Sequence, residues 1–352
     1  MMLLGLLMSA VLPVAWIEAS DLTLEGRGFT ETEGSYDRLP SVAEKSVPPR
    51  VWELSRHAAG MCVRFVAEED SVRIRYEATC CQPLHRFNTR ALVTGCDVYW
   101  KTPKGNFRFQ MNSAPEELPP SEGRFTHEFE VKTTSGTEYL VYFPNRSRVH
   151  SFKIGGKVRA APPRASGILK PVVHYGTSIV HGGLASRPGL TFASIESRVA
   201  DVPVVNLGFS GSGRLEPALA DEIVKIDASL YVVDCGWNLS DEEIRVRLEP
   251  FVRRLIAARP NVPILLAACC SGDLDEPQNG IAMTRNTAAI REAYERLSGE
   301  SDAFAKMLHY LPPEGMLPQD GDATGDHTHP NDYGMVQMGH CFGKALKGIL
   351  GI

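Results

Sequence analysis

The hydrophobic pattern of the chain changes at a proline-rich segment near its middle. Before "RAAPPRASGILKP" (residues 159–171), short stretches alternate apolar and polar residues; after it, continuous apolar runs are separated by segments of helical period. Alternation is typical of strands that bury one face, whereas short apolar runs between helices are typical of parallel strands covered on both faces. We therefore expect an all-β sandwich or jelly roll at residues 20–158, a linker at 159–171 and an α/β unit at 172–352.

The first half carries several short strand patterns. "MCVRFVAEEDSVRIRYEAT" alternates on both sides of a polar turn and predicts a hairpin, and "GCDVYWKTPKGNFRFQ" predicts another around Pro-Lys-Gly. "GTEYLVYFPNRSRVHSFKIG" continues the series, and no helical period of useful length is visible. Such evenly spaced strands favour an antiparallel sandwich or jelly roll.

The second half alternates strands with helices. "KPVVHYG", "VPVVNLGFSGSG", "ASLYVVDCG" and "NVPILLAACC" read as buried strands, "MLHYLP" as a fifth, and a last helix is predicted from about residue 332 to 350. This order predicts a parallel sheet with helices on both faces. In open parallel sheets, ligands bind beyond the carboxyl ends of the strands, so the residues that follow each strand are the candidates for function.

Charge and composition exclude some classes of function and location. The net charge of −5 and the pI of about 6.1 provide no basic surface for a phosphate backbone, so we expect no nucleic-acid partner.

The apolar start "MMLLGLLMSAVLPVAW" has the length of a signal peptide, and we assign residues 1–19 to one and expect export to the periplasm or the medium. The alternative is a misassigned start or a buried first segment, in which case we expect a cytoplasmic protein. No other stretch is apolar for long enough to span a membrane.

The cysteines are not spaced like metal ligands. The chain has eight cysteines and no C-x-x-C pair, which argues against a zinc ribbon and a thioredoxin-like motif. We expect those that end the strands of the second half to be buried, whereas those of the first half could form a disulfide if the protein is exported. The two groups are Cys235, Cys269 and Cys270, and Cys62, Cys80, Cys81 and Cys96.

Polar groups follow three of the predicted strands. Ser178 lies two residues past Gly176, Gly211 lies in "NLGFSGSG", and Asn238 ends "DCGWN". Each has an ordinary structural explanation, because serine and asparagine cap helices and glycines shape tight turns. Together they fit a nucleophile beside an oxyanion hole, in which N–H groups stabilise the developing negative charge.

The loop before the last helix, "GDHTHPND", holds an acid and two histidines. Asp326 stands three residues before His329, a spacing that lets the acid orient the histidine as a general base for Ser178. His327 has no assigned role.

The same loop could instead bind a metal. His327 and His329, with Asp322, Asp326 or His181, could supply the three ligands that a catalytic zinc requires. We favour the serine hydrolase and expect no required metal or organic cofactor.

The motifs of residues 170–350 resemble those of the SGNH (GDSL-type) hydrolases. "YGTSIVHGG" matches the block of the nucleophile, "NLGFSGSG" and "DCGWN" match those of the oxyanion glycine and asparagine, and "DHTHPND" matches the D-x-x-H pair. The first block has Thr177 where the family's G-D-S has an acid, and His327 stands where a small residue is more frequent. The resemblance implies a flavodoxin-like three-layer α/β/α domain, and the β-rich first half resembles the jelly-roll domain of some bacterial carbohydrate esterases.

The resemblance also implies a reaction. Ser178, His329 and Asp326 would form the catalytic triad, and Ser178, Gly211 and Asn238 would form the oxyanion hole. The expected partner is an acylated small molecule or polysaccharide, most often an acetylated carbohydrate. Lipase, lysophospholipase and thioesterase activities use the same machinery, and a non-catalytic glycan-binding protein is the alternative of another class. Side chains expected to bind the substrate are Trp237, Arg187 and His181.

Overall fold

A computed structural model describes residues 14–81, 88–117, 119–120, 122–270 and 279–352. Most of the predicted signal peptide therefore lies outside the described residues. Its last part does not, because Trp16–Glu18 form a strand that pairs with residues 153–155. A leader that is removed from this fold would have to end before Trp16.

The first region, which runs from β1 to β10, contains two antiparallel sheets that face each other. One has the strand order β1-β9-β4-β7, and the other has the order β10-β3-β8-β5-β6, with β2 also paired to β3. Their facing side chains, such as Phe65 of β3 and Tyr76 of β4, form one buried core. The strands are β1 (Trp16–Glu18), β2 (Thr23–Glu25), β3 (Cys62–Ala67), β4 (Ser71–Cys80), β5 (Cys96–Lys101), β6 (Phe107–Ser113), β7 (Arg124–Lys132), β8 (Glu138–Tyr142), β9 (Ser147–Gly155) and β10 (Val158–Ala160).

One of the two predicted hairpins is wrong. β5 and β6 pair as expected, but β3 and β4 belong to different sheets, since β3 pairs with β2, β8 and β10 while β4 pairs with β7 and β9. The short connection at residues 68–70 crosses the sandwich. Every residue of β3 is buried, because its second face lies under other parts of the chain, whereas β4 alternates between buried and partly exposed positions. Alternation shows which face is buried and does not identify the neighbouring strand.

Two short helices interrupt the first region, α1 (Pro49–Ser55) and α2 (Arg90–Thr94), and the sequence pattern predicted neither. The apolar side of α1 packs on the core of the second region through Val51, Trp52 and Leu54. The apolar residues of α1 therefore form a contact between the two regions, and they do not cover the sandwich.

The second region is an α/β unit with a five-stranded parallel sheet, as predicted. Its strand order is β12-β11-β13-β14-β15, the flavodoxin-like order, which reverses between β11 and β13. The strands are β11 (Val172–Gly176), β12 (Val204–Gly208), β13 (Leu230–Asp234), β14 (Ile264–Ala267) and β15 (Leu308–Leu311), and the helices are α3 (Phe192–Ala200), α4 (Pro217–Ile223), α5 (Asp241–Ala258), α6 (Asn279–Ser298), α7 (Asp302–Met307) and α8 (Asp332–Leu350).

The helices cover both faces of the parallel sheet. Side chains of α4, α5 and α6 pack on one face, where Val173 and Tyr175 of β11 point, and those of α3 and α8 pack on the other. The bounds predicted for α8 are correct: the Asn331 side chain accepts from the N–H groups of Tyr333 and Gly334, and the helix ends before Gly351 at a φ of 71°. The short α7 was not predicted.

The cysteines that end the strands, Cys235, Cys269 and Cys270, are buried as expected. Among the described helices, none is both long and apolar enough to cross a membrane.

Arg38 joins the two regions. Its side chain is 1% exposed, and its guanidinium donates to the carbonyls of Leu54 (2.7 Å) and His57 (2.8 Å) in the first region and of Asn206 (3.0 Å) and Gly208 (2.8 Å) on β12. Two carbonyl oxygens near the end of β12 and two in the first region thus accept from one side chain. The two regions are packed as one body at this edge of the sheet.

Candidate active site

Three side chains form a chain of hydrogen bonds beyond the end of β11. Ser178 Oγ lies 2.7 Å from His329 Nε2, and His329 Nδ1 lies 2.9 Å from Asp326 Oδ2. Because a carboxylate only accepts, Nδ1 carries the proton, and Nε2 is left to accept from the Ser178 hydroxyl. This arrangement can activate a serine as a nucleophile.

The turn that holds Asp326 is fixed by its own carboxylate. Oδ1 accepts from the backbone N–H groups of Thr328 (3.1 Å) and His329 (2.7 Å). Partial burial opposes ionisation, but these hydrogen bonds and the imidazole lower the pKa of Asp326 below its ordinary value. His327 lies inside this turn with a φ of 60°, and its side chain is exposed.

Two backbone N–H groups near Ser178 are available as donors. Among the described residues, neither the N–H of Ser178 nor that of Gly211 donates to another protein group. Gly211 has a φ of 70°, and a Cβ added there would meet no atom within 4 Å. Its backbone conformation, and not lack of space, favours glycine.

Asn238 supplies a third donor. It ends a short 3₁₀ turn, Gly236–Asn238, that follows β13. Its Nδ2 donates to the carbonyl oxygen of Ser212. An amide nitrogen has two hydrogens, so this bond fixes the orientation of the side chain and leaves one hydrogen for the cavity.

These groups surround a cavity of about 420 Å³ at the point where the strand order reverses. Ligands bind there in folds of this kind. A larger cavity of about 840 Å³ lies on the first region, but no histidine lines it, so it has no counterpart of the Ser178–His329 pair. The 420 Å³ cavity, called here the active-site cavity, is lined by Arg50, Asn88, Arg146, Ser178, Gly183, Leu184, Ser210, Gly211, Trp237, Asn238, Asp326, Thr328 and His329.

Of the three residues expected to bind substrate, the structure brings one to this cavity. Trp237 lines it. His181 is fully buried behind it and contacts His57 and Ser210. Arg187 lies outside it, where its guanidinium binds Asp97 (2.6 Å) and stacks on an aromatic ring of the first region. Both residues are close to Ser178 in the sequence, but their side chains lie at the contact between the two regions and not in the cavity.

The metal alternative has little support from the side-chain positions. Within the described ranges, no three His, Cys, Asp or Glu residues are grouped as metal ligands. His329 is held by Ser178 and Asp326 through both ring nitrogens.

The sequence gives no sign of the part of the cavity wall that the first region contributes. Arg50 lies in α1, Asn88 in the connection before α2 and Arg146 in the connection between β8 and β9. No motif marks them: Arg146 is 3% exposed and faces the cavity, whereas Arg148, two residues later, binds Asp37. Which of Arg146 and Arg148 lines the cavity is decided by how the two regions pack together, and this is not visible in the sequence.

The chain matches two family models. The "GDSL-like Lipase/Acylhydrolase family" covers residues 169–347, and the family described as "N-terminus of Esterase_SGNH_hydro-type" covers residues 14–161. No curated protein matches the sequence.

Several solved structures are similar over nearly the whole chain. A crystal structure described as a GDSL-like lipase from Bacteroides ovatus has 28% identity and a TM-score of 0.84, over 97% of this chain and 99% of the other. A salicylyl-acyltransferase from a tetracycline biosynthetic pathway has 18% identity and a TM-score of 0.72, over 96% and 97%. A family two carbohydrate esterase from Cellvibrio japonicus has 12% identity and a TM-score of 0.59, over 96% and 98%. At such identities the last two show a shared fold.

The ranges of the two family models agree with the division of the fold into a sandwich and an α/β region. Since the first of them covers just over half of the 352 residues, the protein belongs to the GDSL-like lipase/acylhydrolase family.

Proposed function

We propose that the protein is a serine esterase that removes O-acetyl groups from carbohydrates, and that it acts outside the cytoplasm. The observation that carries the proposal is the Ser178–His329–Asp326 hydrogen-bond chain, which opens on a cavity with three donors. Family membership supports ester hydrolysis, and the substrate and the roles of the residues are our proposal.

The geometry supports a reaction in two stages. Ser178 Oγ attacks the ester carbonyl carbon while its proton passes to His329 Nε2, and the carbonyl oxygen becomes an oxyanion. The N–H groups of Ser178 and Gly211 and the free hydrogen of Asn238 stabilise that charge. His329 then gives the proton to the departing alcohol as the C–O bond breaks, and the acyl group stays on Ser178. A water molecule attacks this acyl group while His329 takes its proton. His329 returns the proton to Ser178 Oγ as the acid is released.

Asp326 would hold His329 in the tautomer that the first step requires. Its bond to Nδ1–H keeps Nε2 unprotonated, and its charge stabilises the imidazolium that forms. Its lowered pKa keeps the carboxylate ionised at neutral pH.

A short acyl group suits the lining of the cavity. Leu184 and Trp237 are its apolar side chains, and the remaining lining is polar, charged or glycine. A long acyl chain requires more apolar surface, so the lining supports an acetyl ester over a lipid ester. The similarity in fold to a family two carbohydrate esterase supports a carbohydrate alcohol by analogy.

The test compares wild type with Ser178→Ala on 4-nitrophenyl acetate. We expect activity to fall by about four orders of magnitude or more, because the nucleophile is lost. An unchanged melting temperature would show that the variant is folded, and unchanged turnover would refute the assignment of Ser178.

A substrate panel tests the finer proposal. Acetate release from acetylated glycans should exceed hydrolysis of 4-nitrophenyl esters with long acyl chains. Higher activity on the long chains would favour a lipase, and binding of glycans with no hydrolysis of any ester would favour the non-catalytic alternative. Full activity after treatment with a chelator would exclude a removable metal.

A further inference from the structure

One wall of the active-site cavity contains a buried arginine with no acidic partner. Arg146 lies in the connection between β8 and β9, is 3% exposed and reaches the cavity from the first region. Its Nη1 donates to Ser210 Oγ at 2.8 Å and lies 3.4 Å from His181 Nδ1. Its Nε is buried without a hydrogen-bond partner, and no carboxylate among the described residues contacts the guanidinium.

The neighbours of Arg146 do not neutralise its charge. Arg146 and Ser210 both approach His181 Nδ1, and since a guanidinium can only donate, that nitrogen accepts. His181 therefore carries its proton on Nε2 and donates it to His57 Nδ1, 3.2 Å away. Burial, followed by the charges of Arg146 and Arg38, keeps the pKa of both histidines well below the ordinary value, so both are neutral at pH 7.

Other charges near the cavity already have partners. Arg50, at its rim, pairs with Glu53 at 2.5 Å. Asp326, the carboxylate in the lining, is bound to His329 and to the backbone of its own turn. Burial and the charge of Arg50 lower the pKa of Arg146 to about 10, which leaves it positive at neutral pH. Its charge is thus unbalanced within the described structure, and a buried charge of this kind is costly without a counter-ion.

The guanidinium is close to the reacting atoms. A Cβ added at Gly183 would lie 3.1 Å from His329 Cδ2 and 3.7 Å from Arg146 Nη2. The arginine and the proposed base thus lie on the same small space of the cavity that Ser178 lines, so one small substrate can contact both.

We propose that Arg146 binds a carboxylate of the substrate and makes the enzyme selective for anionic esters. Arginine suits this role, because its planar donors match the two oxygens of a carboxylate. The proposal rests on the proposed serine-esterase function. A carboxylate on the alcohol would narrow the class of acetyl esters, whereas a carboxylate on the acyl group would replace the acetyl group as the acid released. The carboxylate is carried by the acyl group, as in a half-ester of a dicarboxylic acid, or by the alcohol, as in an acetylated uronic acid.

Two pairs of esters test the two sources of the carboxylate with the wild-type protein alone. In the first pair, 4-nitrophenyl hemiglutarate is compared with 4-nitrophenyl pentanoate, which has the same chain length and no charge. In the second, an acetylated methyl galacturonoside is compared with the matching acetylated methyl galactoside. We expect kcat/KM to favour the anionic ester by about tenfold or more in one pair.

Variants then assign the preference to Arg146. Arg146→Gln should bring the ratio of the favoured pair close to one, Arg146→Lys should retain part of it, and the exposed Arg124→Gln should leave it unchanged. A wild-type enzyme that cleaves the neutral esters as well as the anionic ones in both pairs would overturn the proposal and leave the esterase function standing. If none of the four esters is cleaved, the esterase function itself fails.

Discussion

The two walls of the active-site cavity are built on different principles. The wall with Ser178, Gly211 and Asn238 consists of loops that follow neighbouring parallel strands, so the topology of one sheet brings them together. The opposite wall, with Arg50 and Arg146, comes from connections of an antiparallel sandwich and meets the cavity only because the two regions dock. In our proposals, the first wall carries out the reaction and the second selects the substrate.

The largest expected effect concerns the first wall and contrasts its two histidines. His329→Ala should lower esterase kcat by about three orders of magnitude or more, because no base remains for Ser178. His327→Ala, in the same turn, should change kcat by less than about threefold, since surface substitutions have small effects. Hydrolysis of 4-nitrophenyl acetate measures both, and the reverse ranking would overturn the assignment.

A smaller effect is expected from the oxyanion donor. Asn238→Ala should lower kcat by about 10²–10³ with a much smaller change in KM, because the donor acts on the transition state. A change confined to KM would show that Asn238 binds the substrate in its ground state.

The join between the walls can be broken at Arg38. Arg38→Met would remove the side-chain donor from the carbonyls of His57, Asn206 and Gly208, and one of the donors to Leu54, and should lower the free energy of unfolding by about 3 kcal/mol or more. Arg159→Met, at an exposed arginine of the same region, should change it by about 0.5 kcal/mol at most. Urea unfolding followed by tryptophan fluorescence gives both values, and equal stabilities would mean that Arg38 is not needed for docking.

The smallest effect is a dependence of stability on pH at the same join. His57 and His181 stay neutral in the folded protein because their pKa values are held well below the ordinary value, whereas in the unfolded chain each gains a proton as pH falls through about 6.5. Protons then bind the unfolded state preferentially, so stability is lost toward acid, by about 1.4 kcal/mol per pH unit for each histidine.

A matched pair of variants isolates this contribution. Below pH 6.5, His57→Gln should reduce the slope of the free energy of unfolding against pH by the contribution of about one proton. The substitution His340→Gln, at an exposed histidine, should leave the slope unchanged. The measurement is the urea midpoint as a function of pH, and identical slopes in both variants would contradict the neutral state of His57.

The comparison of the walls also explains how far the sequence predicts this molecule. Parallel strands end at one edge, so the order of Ser178, Gly211, Asn238 and the Asp326–His329 pair along the chain was enough to expect them together. The strands, the long helices and the bounds of α8 followed from the hydrophobic pattern of the sequence.

Contacts between distant parts of the chain were not predictable in this way. The alternation in β3 and β4 is the same whether they pair with each other or lie in facing sheets, and the sequence therefore favoured the wrong hairpin. His181 and Arg187 were expected in the cavity because they follow Ser178, but their partners, His57 and Asp97, lie about a hundred residues away. Arg146 has no local pattern that separates it from a surface arginine.

The placement of Arg38 and Arg146 has a consequence for how such a protein can change by recombination. A hybrid that joins this hydrolase region to an unrelated sandwich would keep the hydrogen-bond chain from Ser178 to Asp326. It would lack Arg146 in the cavity and Arg38, which donates to the carbonyls at the end of β12. New specificity in this architecture would therefore arise more readily through substitutions at the contact between the halves than through the exchange of one half.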